Sequence, residues 1–410
     1  MSLDVNLSEP DEFNCIELHE CIKNVAEIKG IKDFVYHVDV VCGCGENFIA
    51  NVFRVIIKDA ESDNSCSVIV KTLINTSRQE LFRELHKREV KAYKEIVNKY
   101  VDLQKCVPPG DRVIIPECIY TSITKNNEVI VLEDLSDVGF KIDKRLVSHQ
   151  KLSHEHVYLI IAELAKFHAL SFVYENKEDD FDSVRKEFHD LIFNDTFLNK
   201  AKLRNYFHDS FQTSLNLISD ANVRIKLEKV KDKLIDLLKW YTGPKEYSVF
   251  CHGDCWINNI LFRDQDTKRD LCFVDYQALR YANPVTDILY FVYICTDSEF
   301  RSEHFQNILK IYYDNFKLFL EQFDISGETV YPQKVFEKDM KEFLPFGLLI
   351  ALVELRIVSS CTNDDVMSDE LKEHDNRIES QHGNLKTRVN DVVNESIHND
   401  VLDKLLQLIK

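Results

Sequence analysis

The 410-residue chain has no Cys-x-x-Cys pair, no basic patch, no apolar run of bilayer length and only ten glycines. Each shortage excludes something. Without Cys-x-x-Cys or zinc-finger spacing, the twelve scattered cysteines do not read as a metal or disulfide framework. Metal ligation by Cys42 and Cys44, or by Cys251 and Cys255, is the alternative; the plainer reading is reduced thiols serving as small hydrophobes. The longest apolar stretch, Phe343 to Val353, is about half of the ~20 residues that span a bilayer and contains Pro345, so it reads as a core helix. The densest cationic stretch, Arg78 to Lys99, is interleaved with Glu80, Glu84, Glu89 and Glu95. With 51 basic residues against 69 acidic ones the net charge is −18, a field that repels nucleic-acid phosphates and anionic lipid. Neither nucleic acid nor membrane is an expected partner. The opening MSLDVNLSEPDEFNC has neither the basic segment nor the apolar run of a secretory signal, so the expected compartment is the cytoplasm.

What is there is material for a core: 45% of the residues are hydrophobic, which excludes wholesale disorder. Between residues 35 and 135 the pattern is strand-like, with candidates at 48–58, 67–73, 114–124 and 128–132 and Lys125-Asn126-Asn127 as the last hairpin turn. One long helix interrupts it, from about Arg78 to Val101, opening on the capping-box pattern Ser77-Arg78-Gln79-Glu80. After Leu135 the texture changes to long amphipathic helices from about His154 to Trp240. A compact strand-loop-strand block follows at 247–276, then more helices. Residues 359–395 are polar and acidic without a clean period and read as containing a mobile loop. The expected fold class is α+β. A small lobe, residues 1–135, carries an antiparallel sheet and one long helix; a larger, mostly helical lobe spans 136–410. A cleft between two such lobes is a natural small-molecule site.

The chemistry concentrates in Phe250-Cys-His-Gly-Asp-Cys-Trp-Ile-Asn-Asn-Ile-Leu-Phe262, followed by Leu271-Cys-Phe-Val-Asp-Tyr-Gln277. Asp254 and Asn259 stand 5 positions apart in a loop between two short apolar strands, and Asp275 comes 21 positions after Asp254 at a strand end. Hard oxygens presented this way suit Mg2+ together with the phosphate oxygens it bridges. The string His-Gly-Asp-x-x-x-x-Asn, followed by an apolar pair and Asp, resembles the catalytic and metal loops of the eukaryotic-like kinase superfamily. The likeness is to its small-molecule branch, which includes aminoglycoside and choline phosphotransferases. That resemblance implies a protein-kinase-like fold, with Asp254, Asn259 and Asp275 as catalytic residues and Asn259 and Asp275 as the Mg2+ ligands.

Phosphoryl transfer is mostly positioning and charge neutralisation, so a cation for the phosphates is required upstream. Lys71 lies on an apolar strand face with Ile69 and Leu73 as its ±2 neighbours. The following helix offers a partner, because its inward stripe reads Phe82, Leu85, Glu89, Tyr93, Ile96 and Tyr100. A lone buried carboxylate is costly, and a Lys71–Glu89 pair solves both problems. Glu84 as the partner, or a lysine reaching solvent, are the alternatives. The turn Cys42-Gly-Cys-Gly-Glu-Asn-Phe48 places Gly43, Gly45 and Asn47 before a strand. It reads as a nucleotide-binding turn with two glycines where protein kinases have three, or as a plain turn. The strand ending at Glu133-Asp134-Leu135 would offer the Glu133 carbonyl and the Leu135 amide to adenine, unless it is merely a strand end. His252 reads as structural, His168 as a satisfied core histidine with substrate or catalytic-loop contact as the alternative, Asp287 as a helix cap or, as the kinase resemblance implies, a buttress of the catalytic loop, and Trp256 as either pocket wall or packing.

No Asp-Phe-Gly follows the metal strand and no Ala-Pro-Glu closes an activation loop, which argues against a protein kinase. Val131-Leu-Glu-Asp-Leu135, Leu164-Ala-Lys-Phe-His-Ala169, the Cys251–Leu261 loop and Val274-Asp-Tyr-Gln277 are most similar to the ecdysteroid kinase-like (CHK kinase-like) family of insects. The resemblance covers roughly residues 35 to 330. It implies ATP- and Mg2+-dependent phosphorylation of a hydroxyl on a steroid or similar apolar small molecule. A choline- or aminoglycoside-type kinase acting on a cationic acceptor, and a catalytically silent ligand carrier, are the competing readings.

Overall fold

The computed structural model describes residues 18–42, 50–73, 79–143, 152–200, 203–265, 268–360 and 371–410. Gly43, Gly45 and Asn47 lie outside the described residues, as do Ser77 and Arg78 of the expected capping box. The described residues form two compact units, each discontinuous in sequence. One is built from the chain up to Lys99 together with 114–141 and 261–277, the other from 100–113, 142–260 and 278 onward. Where the sequence offers one boundary at 135/136, the chain places the strands of 261–277 with the first unit.

The first unit is built on an antiparallel sheet of β1 (Phe34–Cys42), β2 (Ala50–Asp59), β3 (Ser65–Leu73), β4 (Cys118–Thr124) and β5 (Asn127–Glu133), in the order β1-β2-β3-β5-β4. Strand alternation sorts its two faces. Phe53, Val55, Ile57, Val68, Val70, Val129 and Val131 point one way and bury Leu18, Cys21, Ile22 and Val25 of α1 (Leu18–Ile28). Lys71, paired in register with Ile130, points the other way. That face is covered by α2 (Gln79–Ala92), which is tied to β5 by a buried Arg83–Glu128 ion pair and to β4 by a 2.9 Å hydrogen bond from His86 Nε2 to the Ser122 carbonyl. Asn126 takes the left-handed conformation (φ 66°) at the β4–β5 turn, as the sequence predicts. Ile114 lies outside β4 and instead makes an isolated parallel bridge to Cys272 of β8 (Arg269–Phe273), the partner of β7 (Ile260–Asp264).

The long helix departs from its expected course. After α2 it widens into a π turn at Tyr93–Val97 before resuming at Asn98–Leu103. The wider turn shifts the helical phase, so Tyr93, Ile96 and Val97 are all fully buried.

The second unit is mostly helical, with a two-stranded ribbon of β6 (Val249–Cys251) and β9 (Arg280–Ala282). Its main helices are α3 (His154–Lys177), α4 (Val285–Cys295), α5 (Ser298–Glu321), α6 (Gln333–Ser360) and α7 (Leu371–His398). Among the described residues α3, rather than Phe343–Val353, is the helix long and apolar enough by composition to cross a membrane, and 72% of its apolar stretch is buried inside the protein. The helix expected at 343–353 is part of α6, which continues through Pro345 and packs on α4 so closely that a Cβ at Gly347 would meet the Tyr293 ring at 2.6 Å. Of the stretch 359–395, expected to contain a mobile loop, residues 371–395 belong to α7 and residues 361–370 lie outside the described residues. Leu385, Val389, Val392 and Val393 are buried, a helical stripe hidden among polar neighbours. Cys21, Cys251, Cys255, Cys272 and Cys295 are buried free thiols, as their apolar neighbours predict.

Candidate active site

In the first unit the Lys71 ammonium sits between two carboxylates, 2.7 Å from Glu89 Oε2 and 2.8 Å from Asp275 Oδ1. Glu84 is not its partner; it pairs with Lys87 at the surface. Burial works against the lysine's charge, but Asp275 and then Glu89 outweigh it, so its pKa is raised. Burial pushes the Glu89 carboxyl up, and the neighbouring Asp275 adds to this, while Lys71 and the Tyr276 amide oppose it. One ammonium thus serves two carboxylates. Asp275 reaches it from a backbone at φ 70°, the left-handed region, just beyond β8, and Tyr276 anchors this turn by donating to the Phe273 carbonyl at 3.0 Å and stacking edge-on against Tyr93. Glu133 and Leu135 flank Asp134. Its carboxylate accepts from Arg54 Nε and Ser67 Oγ, each at 2.6 Å, and from the Ser136 amide at 3.0 Å. A 3-10 turn begins at Leu135, so its first amides have no partner within the turn.

In the second unit the loop after β6 is built around Asp254. The Asn259 side-chain amide donates to the Asp254 carbonyl at 2.9 Å and to Asp254 Oδ2 at 3.1 Å, joining the two residues expected to act together. Gly253 sits at φ 85°, where a Cβ would lie 2.0 Å from the Ala278 carbonyl oxygen. Asp287 at the start of α4 buttresses the loop. Its Oδ2 accepts from the His252 amide at 2.5 Å and its Oδ1 from the Gly253 amide at 3.0 Å. Asp287 is fully buried; burial opposes its charge, but the hydrogen bond and charge of His168, with Arg280 and His252 nearby, hold its carboxyl below the ordinary range. His168 bridges Asp287 (3.1 Å) and the Tyr312 hydroxyl (2.9 Å), the satisfied core histidine its apolar stripe implies. His168, Cys251 and Asp287 bring possible metal-ligand atoms within 4.8 Å of one another, but both imidazole nitrogens and both carboxylate oxygens are engaged in this network. His252 accepts the Asp254 amide at its Nδ1 and is likewise structural, while Trp256 is half-buried.

Two residues that interact with this loop, one by a hydrogen bond and one electrostatically, escape the motif. Tyr290 donates to Asp254 Oδ1 at 2.9 Å, and the charge of Asp254 acts on Glu354. Tyr290 follows Asp287 by three positions and so shares its helix face; Glu354 is the acid that directly ends the longest apolar run.

The donor chemistry fits a magnesium nucleotide. In the first unit the Lys71–Glu89–Asp275 cluster has one more carboxylate than cations, which suits a divalent ion at Asp275. In the second, Asp254 engages the Asn259 nitrogen, leaving Oδ1 as the asparagine's ligating atom.

Among solved structures the chain is similar to an ethanolamine kinase from Plasmodium vivax at 11% identity, with 84% of this chain and 81% of that one covered and a TM-score of 0.41. It is also similar to a choline kinase from Cryptosporidium parvum at 14% identity, with 95% and 99% covered and a TM-score of 0.48. No curated protein matches it. The family profile that matches spans residues 44–325, over half of the chain and every described candidate residue discussed here except Glu354. The chain belongs to the ecdysteroid kinase-like family.

Proposed function

We propose that this protein transfers the γ-phosphoryl group of ATP, with Mg2+, to a hydroxyl of an apolar small molecule, an ecdysteroid or a related steroid. The observation that carries the reading is the buried Lys71 ammonium held by Glu89 and Asp275, an arrangement suited to phosphate charge. Family membership supports a phosphotransferase acting on small molecules. In this reading Lys71, fixed by Glu89, neutralises the phosphates, and the Asp275 carboxylate and Asn259 Oδ1 are oxygens offered to Mg2+. The ion supplies charge neutralisation at the phosphate oxygens when bound. Glu133 and Leu135 hold the adenine edge through backbone groups, with Asp134 bracing them. Asp254 orients the acceptor hydroxyl and takes its proton as the new phosphorus–oxygen bond forms and the bond to ADP breaks.

Labelled-phosphate transfer from ATP over a panel of ecdysteroids, other sterols, amino alcohols and aminoglycosides tests this directly. Asp254→Ala is expected to cut turnover by at least about a hundredfold while ATP binding survives. Asp275→Ala is expected to weaken Mg·ATP binding itself. Full turnover in Asp254→Ala overturns the assignment, and a panel with no acceptor favours the silent ligand carrier.

A further inference from the structure

The glycine that precedes Asp254 is gripped at both ends. Its amide donates to Asp287 Oδ1 at 3.0 Å, and its carbonyl accepts from Arg280 Nη1 at 3.0 Å. A carboxylate thus holds the donor and a guanidinium the acceptor, and charge-assisted bonds of this kind are stronger than neutral ones. Only glycine permits the approach: at φ 85° a Cβ would lie 2.9 Å from Arg280 Nη1 as well as against the Ala278 carbonyl. β9 runs antiparallel to β6 with Arg280 opposite Cys251, so the arginine stands where the loop begins. Its side chain is buried, and a buried cation needs a carboxylate. Asp190 supplies one, with Oδ2 facing Arg280 Nε at 3.5 Å while Oδ1 accepts the Phe193 amide at 2.7 Å. The Phe188 carbonyl accepts the Tyr281 amide at 2.6 Å, so the segment that carries Asp190 is itself fixed to β9.

We propose that Arg280 is a positioning residue for phosphoryl transfer: its Nη1 fixes the Gly253 carbonyl and, through that peptide, the direction in which Asp254 is presented, while Asp190 balances its charge. The inference rests on the kinase reading, in which Asp254 takes the proton of the acceptor hydroxyl. Asn259 and Tyr290 hold the carboxylate itself, whereas Arg280 holds the backbone from which it springs. The division matters because a reacting group displaced by about 1 Å can lose on the order of a hundredfold in rate. The chain also carries its own reporter. Trp256 is one of only two tryptophans, stands two positions after Asp254, and donates its amide to the Asp254 carbonyl at 3.1 Å.

Arg280→Met alone would strand Asp190 as a lone buried charge, so the decisive variant combines Arg280→Met with Asp190→Asn, which removes both charges and keeps an acceptor for the Phe193 amide. Its comparison is Asp190→Asn alone, which keeps the bond to Gly253 but leaves the guanidinium without that carboxylate. Breaking half of a buried ion pair costs more stability than replacing both halves, so a merely structural role makes the single variant the slower one. Positioning reverses the order. With labelled ATP and an ecdysteroid as acceptor, Asp190→Asn is expected to keep kcat within about threefold of the parent, and the double variant to lose at least about tenfold with both KM values moved less than about twofold. Arg280→Lys, which keeps a charge opposite Asp190 but lacks the fork that serves two partners, is expected to show most of the same loss. In a Trp240→Phe background without nucleotide or acceptor, acrylamide quenching of Trp256 is expected to rise at least about twofold in the double variant and in Arg280→Lys, and to stay at the parent value in Asp190→Asn. Full kcat in the double variant or in Arg280→Lys, a single variant as slow as the double, a loss confined to KM, or unchanged quenching each overturns the proposal. A parent that transfers no phosphate fails the kinase reading alone, because the fluorescence judges the hold on the loop without any reaction.

Discussion

At Gly253 the backbone turns through φ 85° against the Ala278 carbonyl, between a histidine and an aspartate whose amides and carboxylate are already committed. Alanine there suffers both the left-handed conformation and a collision with backbone that cannot yield. Gly253→Ala is expected to destabilise the protein by at least about 2 kcal/mol and to lower turnover with it, read as a drop in the thermal midpoint. An unchanged midpoint would show that the loop relaxes where the geometry says it cannot. Residues of this kind were legible in the sequence because chemistry restricts them. His-Gly-Asp with its downstream Asn and Asp is a constrained string, and Lys71 with Glu89 are charges on otherwise apolar stripes. Tyr290 and Glu354 were not legible, because their interaction with Asp254 is decided by tertiary packing, which no spacing within either helix encodes.

The contact between α2 and the sheet has its own pH dependence. His86 is buried, donates to the Ser122 carbonyl, and has its pKa lowered to about 4, by burial first and also by the charges of Lys71 and Arg83, against the pull of Ser122 and Glu128. Folding therefore keeps this imidazole neutral, whereas the unfolded chain takes up a proton near pH 6.5. Its contribution is complete above that pH and is lost as the pH falls toward 4, by about 3 kcal/mol. Urea unfolding from pH 7 to 4 is expected to show this loss in the parent and a flatter profile in His86→Gln; parallel profiles would remove His86 as the cause. At this scale the sheet, its last hairpin and the long helix were all foreseeable from alternation and turn residues. The π turn was not, because a single added residue leaves the apolar stripe nearly unchanged. The helix over 371–398 was hidden because polar residues dominate its composition, while only Leu385, Val389, Val392 and Val393 carry its packing.

Over the whole chain, the threading of 261–277 into the first unit sets what can fold alone. Those residues contribute Leu261, Cys272 and Val274 to a small core with Ile114, Leu135 and Phe140, a backbone pair between Lys141 and Phe262, and Arg263 over the Phe140 ring at 4.5 Å. A fragment ending at residue 141 is expected to lack a cooperative thermal transition, whereas the full chain has one; equally sharp melting of both would refute the dependence. The sequence gives no sign of this threading, because it is a long-range pairing between segments whose local patterns are complete in themselves. The Lys71–Asp275 contact closes across 204 positions. At about 5–20 residues per second of synthesis, the ribosome reaches Asp275 roughly 10 to 40 s after Lys71. For that interval the nascent chain holds an unfinished ion cluster, so codon speed and chaperone occupancy along this stretch bear on how much of the protein is made correctly.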